Sequence, residues 1–130
     1  MTVTRERNPR TVLADAEILL VEDEVIIAMD LIAALEEVGA KVHYARRQDG
    51  GLALARDTAL AGAILDVNLG GDATCAPIAD VLKSRSIPFL LYSGDFNTSG
   101  ELIDRIGAPV AQKPISSDRL IGMLETLLSE

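Results

Sequence analysis

Five polar side chains end or follow apolar runs of the kind that form buried strands. They are Glu22, Asp23, Asp66, Ser93 and Lys113. If these runs lie in one parallel sheet, their carboxyl ends meet at one edge, where open α/β sheets bind ligands. Three carboxylates brought together repel one another, so they favour raised pKa values or a bound divalent cation. Mg²⁺ takes oxygen ligands and keeps several waters, so it suits the three carboxylates. The Ser93 hydroxyl and the Lys113 ammonium would lie beside it.

Short apolar runs alternate with segments of helical periodicity along the chain. The alternation predicts a doubly wound, flavodoxin-like (βα)5 fold of the α/β class, with a five-stranded parallel sheet covered by helices on both faces. Strands are expected at residues 17–21, 41–45, 61–65, 89–92 and 110–112. Helices are expected at residues 25–38, 49–58, 74–84, 99–106 and 117–128.

Helix boundaries follow from residues that favour helix ends. Gly39 is expected just past the end of the first helix, where a left-handed backbone conformation is common. Asp49 is expected to cap the second helix, and Ser116 or Ser117 the last one. Ile26 is expected on the buried face of the first helix.

Composition restricts the class of protein. With 130 residues, 48% hydrophobic and 25% charged, the chain fits one globular domain at residues 16–130, after a flexible N-terminal arm at residues 1–15. The formal charge of −8 argues against binding to a nucleic-acid backbone. Cys75 is the one cysteine, so a disulfide within the chain is excluded. We expect it to be a small buried residue. With neither a membrane span nor a signal peptide apparent, we expect a cytoplasmic protein.

Four motifs together resemble the receiver domain of bacterial two-component response regulators. The resemblance extends over residues 16–129, and the motifs follow one another in the order and at the spacing of that family. Each motif alone is weak, but the four in sequence are specific. They read L-V-E-D-E at residues 20–24, L-D at 65–66, Y-S-G at 92–94 and Q-K-P at 112–114.

The resemblance implies a phosphoacceptor site. Asp66 would receive a phosphoryl group from a phosphohistidine on a sensor histidine kinase or a histidine phosphotransfer protein. Asp23 would ligate Mg²⁺ directly, and Glu22 would act through a metal-bound water. The backbone carbonyl of Asn68 would complete the metal shell.

The resemblance also assigns the residues around the phosphoryl group. Ser93 would bond one phosphoryl oxygen and Lys113 would pair with another. Pro114 would follow a cis peptide bond. Asn68 and Asp95, two residues beyond Asp66 and Ser93, would tune the lifetime of the phosphorylated state.

The chain departs from the family pattern at three places. Gly70 stands where most members carry a proline, and Val110 stands where most carry a switch aromatic. The fourth strand and the residues beside it read P-F-L-L-Y-S-G at 88–94. This stretch is similar to a Phe-Ala-Thr-Gly type motif of single-domain receivers that lack the switch aromatic. Such receivers are frequent in alphaproteobacteria. Tyr92, directly before Ser93, is a candidate to take over part of the signalling motion.

Two functions from different classes stay open. The first is a single-domain response regulator, not an enzyme in the usual sense, that relays or drains phosphoryl groups through contacts with an unidentified downstream protein. The second is a receiver-like docking module that works without phosphorylation. We expect a monomer or weak homodimer. A haloacid-dehalogenase phosphatase is excluded, because Asp66 lies on the third strand and residue 68 is not a second aspartate.

Overall fold

The computed structural model describes residues 12–94 and 96–130, which form five strands and five helices in strict alternation. No helix in this part of the chain is both long and apolar enough to cross a membrane. The strands are β1 (Glu17–Val21), β2 (Lys41–Ala45), β3 (Gly62–Asp66), β4 (Phe89–Ser93) and β5 (Val110–Gln112). The helices are α1 (Val25–Glu37), α2 (Gln48–Asp57), α3 (Ala76–Ser84), α4 (Phe96–Ile106) and α5 (Ser117–Ser129).

The strands form one parallel sheet in the order β2-β1-β3-β4-β5. This topology confirms the predicted doubly wound, flavodoxin-like (βα)5 fold. The chain leaves β1 towards one edge of the sheet and returns on the other side of β1 as β3. Ligand crevices of open α/β sheets lie at such a reversal, outside the carboxyl ends of the strands. Here that position lies next to the ends of β1 and β3.

The side chains of each strand alternate between two apolar layers, as the period of a strand requires. Leu20, Ile64 and Leu90 pack in the layer that holds the buried residues of α1 and α5. Leu19 and Leu65 pack in the opposite layer, with buried residues of α2, α3 and α4. Helices therefore cover both faces, and the three inner strands β1, β3 and β4 are almost fully buried, as expected for a parallel sheet.

The expected burial of Ile26 is wrong, since this side chain is 83% exposed. The buried residues of α1 are Ala28, Leu31 and Leu35, which are spaced three and four positions apart on one helical face. Ile26 precedes Ala28 by two positions and is therefore turned by about 200° from it around the helix. The start of α1 thus presents an apolar side chain outward.

Two of the expected helix ends are confirmed and one is wrong. Gly39 follows α1 with φ +93, and the Ser116 side chain caps α5. Asp49 does not cap α2, because the helix begins one residue earlier than expected and its N-cap is Arg47. Asp49 lies in the first turn instead, where a negative charge still interacts favourably with the helix dipole. Helix α4 begins at Phe96, before the expected start.

The part of the expected N-terminal arm that the structure describes packs on the domain. Leu13 is fully buried in the layer beside α1 and α5. The backbone N–H of Asp15 donates to the carbonyl of Gly39, at 2.8 Å. Packing therefore begins before residue 16, because Leu13 covers apolar surface that the sheet and α1 leave open. Residues 1–11 lie outside the described residues.

Helix α2 approaches β1 most closely at the buried Gly51. A Cβ atom at this position would lie 2.8 Å from Cδ1 of Ile78 and 2.9 Å from Cγ2 of Val21. At the neighbouring Gly50 a Cβ atom would lie 3.5 Å from the Cβ of Ala45, which is ordinary contact. Only residue 51 of this pair therefore needs glycine for packing, and this contact fixes the strand that leads into Glu22.

Gly51→Ala is expected to lower the free energy of unfolding by about 1–2 kcal/mol, because overpacking outweighs the gain in helix propensity. The matched control Gly50→Ala gains propensity without a clash and is expected to raise it by up to about 1 kcal/mol. Urea unfolding followed by circular dichroism measures both. Equal stability of the two variants would show that α2 does not pack against β1 as described.

Candidate functional site

The alternation of side chains in the strands places the site. Leu20 and Ile64 face the layer of α1 and α5, so Glu22 and Asp66, each two residues further on, continue along the same face. In the register of the sheet Val21 pairs with Leu65, which puts Glu22 and Asp66 side by side at the carboxyl edge. Two neighbouring strands thus deliver two carboxylates to one point.

The structure brings three of the candidate acids together. One carboxylate oxygen from each of Glu22, Asp23 and Asp66 lies within 4.8 Å of the other two. Glu22 is fully buried, Asp66 is 5% exposed, and Asp23 is half-buried at the rim. Mutual repulsion at this distance, with little water to screen it, favours a bound cation or a retained proton.

Lys113 supplies the positive charge nearest to this cluster. Its Nζ lies 3.3 Å from Oε1 of Glu22 and 3.4 Å from Oδ1 of Asp66. The exposed Glu24 lies further out, at 3.9 Å. The lysine stem runs over Gly94, where a Cβ atom would meet the Cβ and Cδ of Lys113 at 3.5 Å. Lys113 therefore reaches from β5 across the end of β4 to the acids of β1 and β3.

The two oxygens of Glu22 differ in their contacts. Oε2 accepts a hydrogen bond from the backbone N–H of Glu24, at 3.1 Å. Oε1 is buried and has no hydrogen-bond partner among residues 12–94 and 96–130. Its contact with Lys113 is close enough for an ion pair but lacks hydrogen-bond geometry. A buried carboxylate oxygen left in this state is costly, so the site favours a further positively charged ligand.

The electrostatics of the site follow from burial and from these neighbours. Burial raises the pKa of Asp66 to about 8, the Glu22 charge acts in the same direction, and the Lys113 ammonium opposes both. Burial alone would lower the pKa of Lys113, but the charges of Asp66 and Glu22 outweigh it and raise that pKa. The single ammonium therefore compensates only part of the negative charge.

A cleft of about 370 Å³ opens over Asp66. The candidate residue Asn68 lines it, with an exposed side chain, and Ser93 ends β4 nearby with 1% exposure. Asp95 lies outside the described residues. The cleft gives Asp66 an open approach from solvent, and the residues along it are Asp23, Glu24, Asp66, Asn68, Gly70, Gly71, Gly94 and Lys113.

The loop after Asp66 follows a course that the usual proline cannot adopt. Gly70 has φ +92 and Gly71 has φ +55, whereas proline is fixed near −65°. The loop closes through the backbone N–H of Ala73, which donates to the carbonyl of Gly70 at 3.0 Å. Glycine at position 70 is therefore part of the loop conformation. On the far side of the site the Lys113–Pro114 peptide is cis, as the resemblance implies.

Two further residues lie against Lys113, a contact that the sequence did not predict, since Tyr92 was a candidate only for signalling motion. Glu24 lies beside the lysine, and the ring of Tyr92 lies under it, with Nζ at 4.7 Å from the ring centroid. The alternation of β4 could have located Tyr92, because residues 90 and 92 share the face of Asp66. Val110, in place of the usual aromatic, packs with the opposite layer.

Cys75 is fully buried near Asp66, as expected for a small apolar residue. Burial, with the charge of Asp66, raises the pKa of its thiol to about 12. At neutral pH the thiol stays protonated, so it is a poor nucleophile and a poor metal ligand.

In the absence of divalent cations, the free energy of unfolding is expected to fall as pH rises from about 5 to 8. Asp66 has a pKa of about 8 in the folded protein and an ordinary value of 3.8. Between these values the folded state binds more protons than the unfolded state, so stability decreases with pH. Urea unfolding in EDTA measures the decrease, expected to exceed about 1.4 kcal/mol, the free energy of a tenfold change in proton affinity.

Asp66→Asn is expected to remove most of this pH dependence and to be more stable than wild type at pH 8. Asp80→Asn, a change at an exposed residue of α3, is the control and is expected to keep the wild-type profile. A wild-type stability that rises over this pH range would contradict the raised pKa of Asp66.

No protein-family model matches the chain, and no curated protein matches it. Solved structures do match. NtrX from Brucella abortus is 30% identical with a TM-score of 0.76, and the match covers 88% of this chain and 27% of that one. This chain therefore corresponds to about a quarter of that protein. The non-phosphorylated HemR receiver domain from Leptospira biflexa is 26% identical with a TM-score of 0.77, over 88% of this chain and 95% of that one.

A third neighbour is the receiver domain of the sensor histidine kinase PA1611 from Pseudomonas aeruginosa PAO1. It has a TM-score of 0.81 at 19% identity, over 90% of this chain and 100% of that one. That structure contains a magnesium ion coordinated in its active site cleft. The TM-scores of 0.76 to 0.81 show that these neighbours share the fold of this chain. The chain has the fold of response regulator receiver domains, with an acidic cluster at the carboxyl edge of its sheet.

Proposed function

We propose that this domain is a two-component receiver that accepts a phosphoryl group from a phosphohistidine onto Asp66. It then relays or drains the signal through protein contacts. One observation carries the proposal: the ammonium of Lys113 lies 3.3–3.4 Å from the buried Glu22 and Asp66, two of the three clustered acids. This arrangement combines a nucleophilic carboxylate with the positive charge that a phosphoryl group needs.

The donor set fits Mg²⁺, which is the cation we propose for the site. All available ligand atoms are oxygens, three carboxylates meet within 4.8 Å, and one buried oxygen of Glu22 lacks a hydrogen bond within the described residues. Asp23 and Asp66 would hold the ion directly, Glu22 through a water, and Asn68 through its backbone carbonyl. When bound, the ion would neutralise negative charge on the phosphoryl oxygens.

The chain's own residues then have limited chemistry to perform, because phosphoryl transfer depends mainly on position and charge. Once Asp66 has released its proton to solvent, one of its carboxylate oxygens attacks phosphorus, and the bond between phosphorus and the imidazole nitrogen of the donor breaks. The electron pair of that bond stays with the imidazole, and an acyl phosphate forms on Asp66. Lys113 pairs with one equatorial oxygen, and the Ser93 hydroxyl bonds another.

An exposed apolar patch supports a protein as the phosphoryl donor. At the start of α1, Val25 is 41% exposed, Ile26 83% and Met29 64%. This patch directly follows the acidic residues at 22–24, so a partner seated on it reaches the cleft over Asp66. We propose that a sensor histidine kinase or a histidine phosphotransfer protein docks there.

The alternative, a docking module that works without phosphorylation, is supported by Val110 in place of the switch aromatic. It predicts no specific cation site at the cleft and no phosphoryl transfer. The next two experiments separate the two functions.

Mg²⁺ is expected to bind with an affinity that depends on the two acids at the end of β1. Glu22→Gln and Asp23→Asn are each expected to weaken binding by at least about tenfold, since each removes a charge that faces the ion. Glu24→Gln is the matched control, because Glu24 carries the same charge but lies outside the cluster, and a loss of less than about threefold is expected. Calorimetric titration measures the three affinities. Equal losses in all three variants would indicate diffuse attraction rather than a site.

With Mg²⁺ and a phosphohistidine protein or acetyl phosphate, wild type is expected to gain one phosphoryl group. Asp66→Asn replaces the carboxylate by a poorly nucleophilic amide and should gain none, while Asp80→Asn should behave as wild type. Intact-mass spectrometry measures the product. A partner kinase that fails to label wild type, together with the absence of a Mg²⁺ site, would leave the docking module as the better account.

A further inference from the structure

Tyr92 is in contact with the charged group of Lys113. The Nζ atom lies 4.7 Å from the centroid of the Tyr92 ring, within the range of a cation–π interaction. The residue is only 5% exposed, and the lysine side chain is 17% exposed. The pKa of Tyr92 is raised, and burial is the largest cause. The phenol therefore stays neutral, and its ring face attracts the ammonium.

The register of the sheet brings Tyr92 and Lys113 to the same face on neighbouring strands. Asp66 on β3 pairs with Tyr92 on β4, and Tyr92 pairs with Ala111 on β5. Lys113 lies two residues beyond Ala111 and so shares the face of that row. Because β4 lies between β5 and β3, the lysine side chain crosses β4 to reach Asp66: its stem passes over Gly94, and its Nζ lies over the ring of Tyr92.

The ring of Tyr92 holds the Lys113 ammonium at its inner position, which the acids alone do not do. Glu22 and Asp66 draw the ammonium into the site, but Glu24, at 3.9 Å and 63% exposed, draws it towards solvent. An aromatic face under the nitrogen favours the inner position without using an N–H donor in a directed hydrogen bond. The ammonium has three such donors, and they stay available for carboxylate and phosphoryl oxygens.

We propose that Tyr92 is a positioning residue for phosphoryl transfer: its ring face holds the Lys113 ammonium between Glu22 and Asp66. The proposal rests on the proposed function of the site. It assigns the role to the ring and not to the hydroxyl, so phenylalanine replaces tyrosine and an aliphatic residue does not. The ring acts through the lysine and does not touch the transferred group.

The contact itself is tested in the unphosphorylated protein by NMR. The chain has three lysines, and Lys41 and Lys83 are exposed. The ε-methylene protons of Lys113 are expected upfield of those of the other two, because they lie over an aromatic ring. The shift is expected in wild type and in Tyr92→Phe and is lost in Tyr92→Leu. Lys113 signals that match those of the exposed lysines in wild type would overturn the proposal.

The role is tested by single-turnover phosphorylation of folded variants at saturating phosphodonor. Tyr92→Phe is expected within about twofold of wild type, and Tyr92→Leu about 3- to 30-fold slower, as loss of a partly desolvated cation–π contact implies. In a Lys113→Met background, Tyr92→Leu is expected to add less than about twofold, because the group that the ring positions is already gone.

Three results would overturn the role of Tyr92 while the proposed function stands. They are a wild-type rate in Tyr92→Leu, an equal loss in Tyr92→Phe, and an undiminished loss in the Lys113→Met background, which would indicate general structural support. Failure of wild type itself to accept a phosphoryl group would instead overturn the proposed function, and the role with it.

Discussion

Repulsion among the carboxylates of the buried Glu22 and Asp66 and the half-buried Asp23 is the constraint on which the site depends. Their oxygens lie within 4.8 Å, and one ammonium compensates only part of their charge. The fold maintains this unfavourable cluster because the acids end strands whose other residues form the core. Burial then raises the pKa of Asp66 to about 8. A site with uncompensated negative charge and oxygen ligands is suited to take up a cation and, with it, an anionic phosphoryl group.

The sheet positions these groups through alternation and register. Glu22, Asp66 and Lys113 all continue the face that packs against α1 and α5, from three different strands. Tyr92 belongs to the same face on β4, between Asp66 and the lysine. Helix α2 packs closely at Gly51 against Val21, the last residue of β1, which directly precedes Glu22. Core packing and site geometry are therefore parts of one arrangement, in which a change of face at any of these strands would separate the charges.

The sequence was sufficient for the order of elements and, to within one residue, for the strand ends, because buried parallel strands are continuous apolar runs that end in polar residues. It was not sufficient where tertiary contacts decide. The exposure of Ile26 depends on which face of α1 meets the sheet, and the burial of Leu13 depends on surface left open beside α1. The contact between Tyr92 and Lys113 depends on the strand order, since β4 must lie between β3 and β5. The left-handed conformation of Gly70 belongs to the loop, which periodicity does not describe.

The most direct test of the central claim is to locate the phosphoryl group on the chain. Borohydride reduces an aspartyl phosphate to homoserine, which peptide mass spectrometry identifies by position. After incubation with Mg²⁺ and a phosphohistidine donor, we expect homoserine at position 66 and at no other aspartate. Unreduced Asp66 in a protein that has gained a phosphoryl group, or homoserine at position 23, would contradict the assignment of Asp66 as the acceptor.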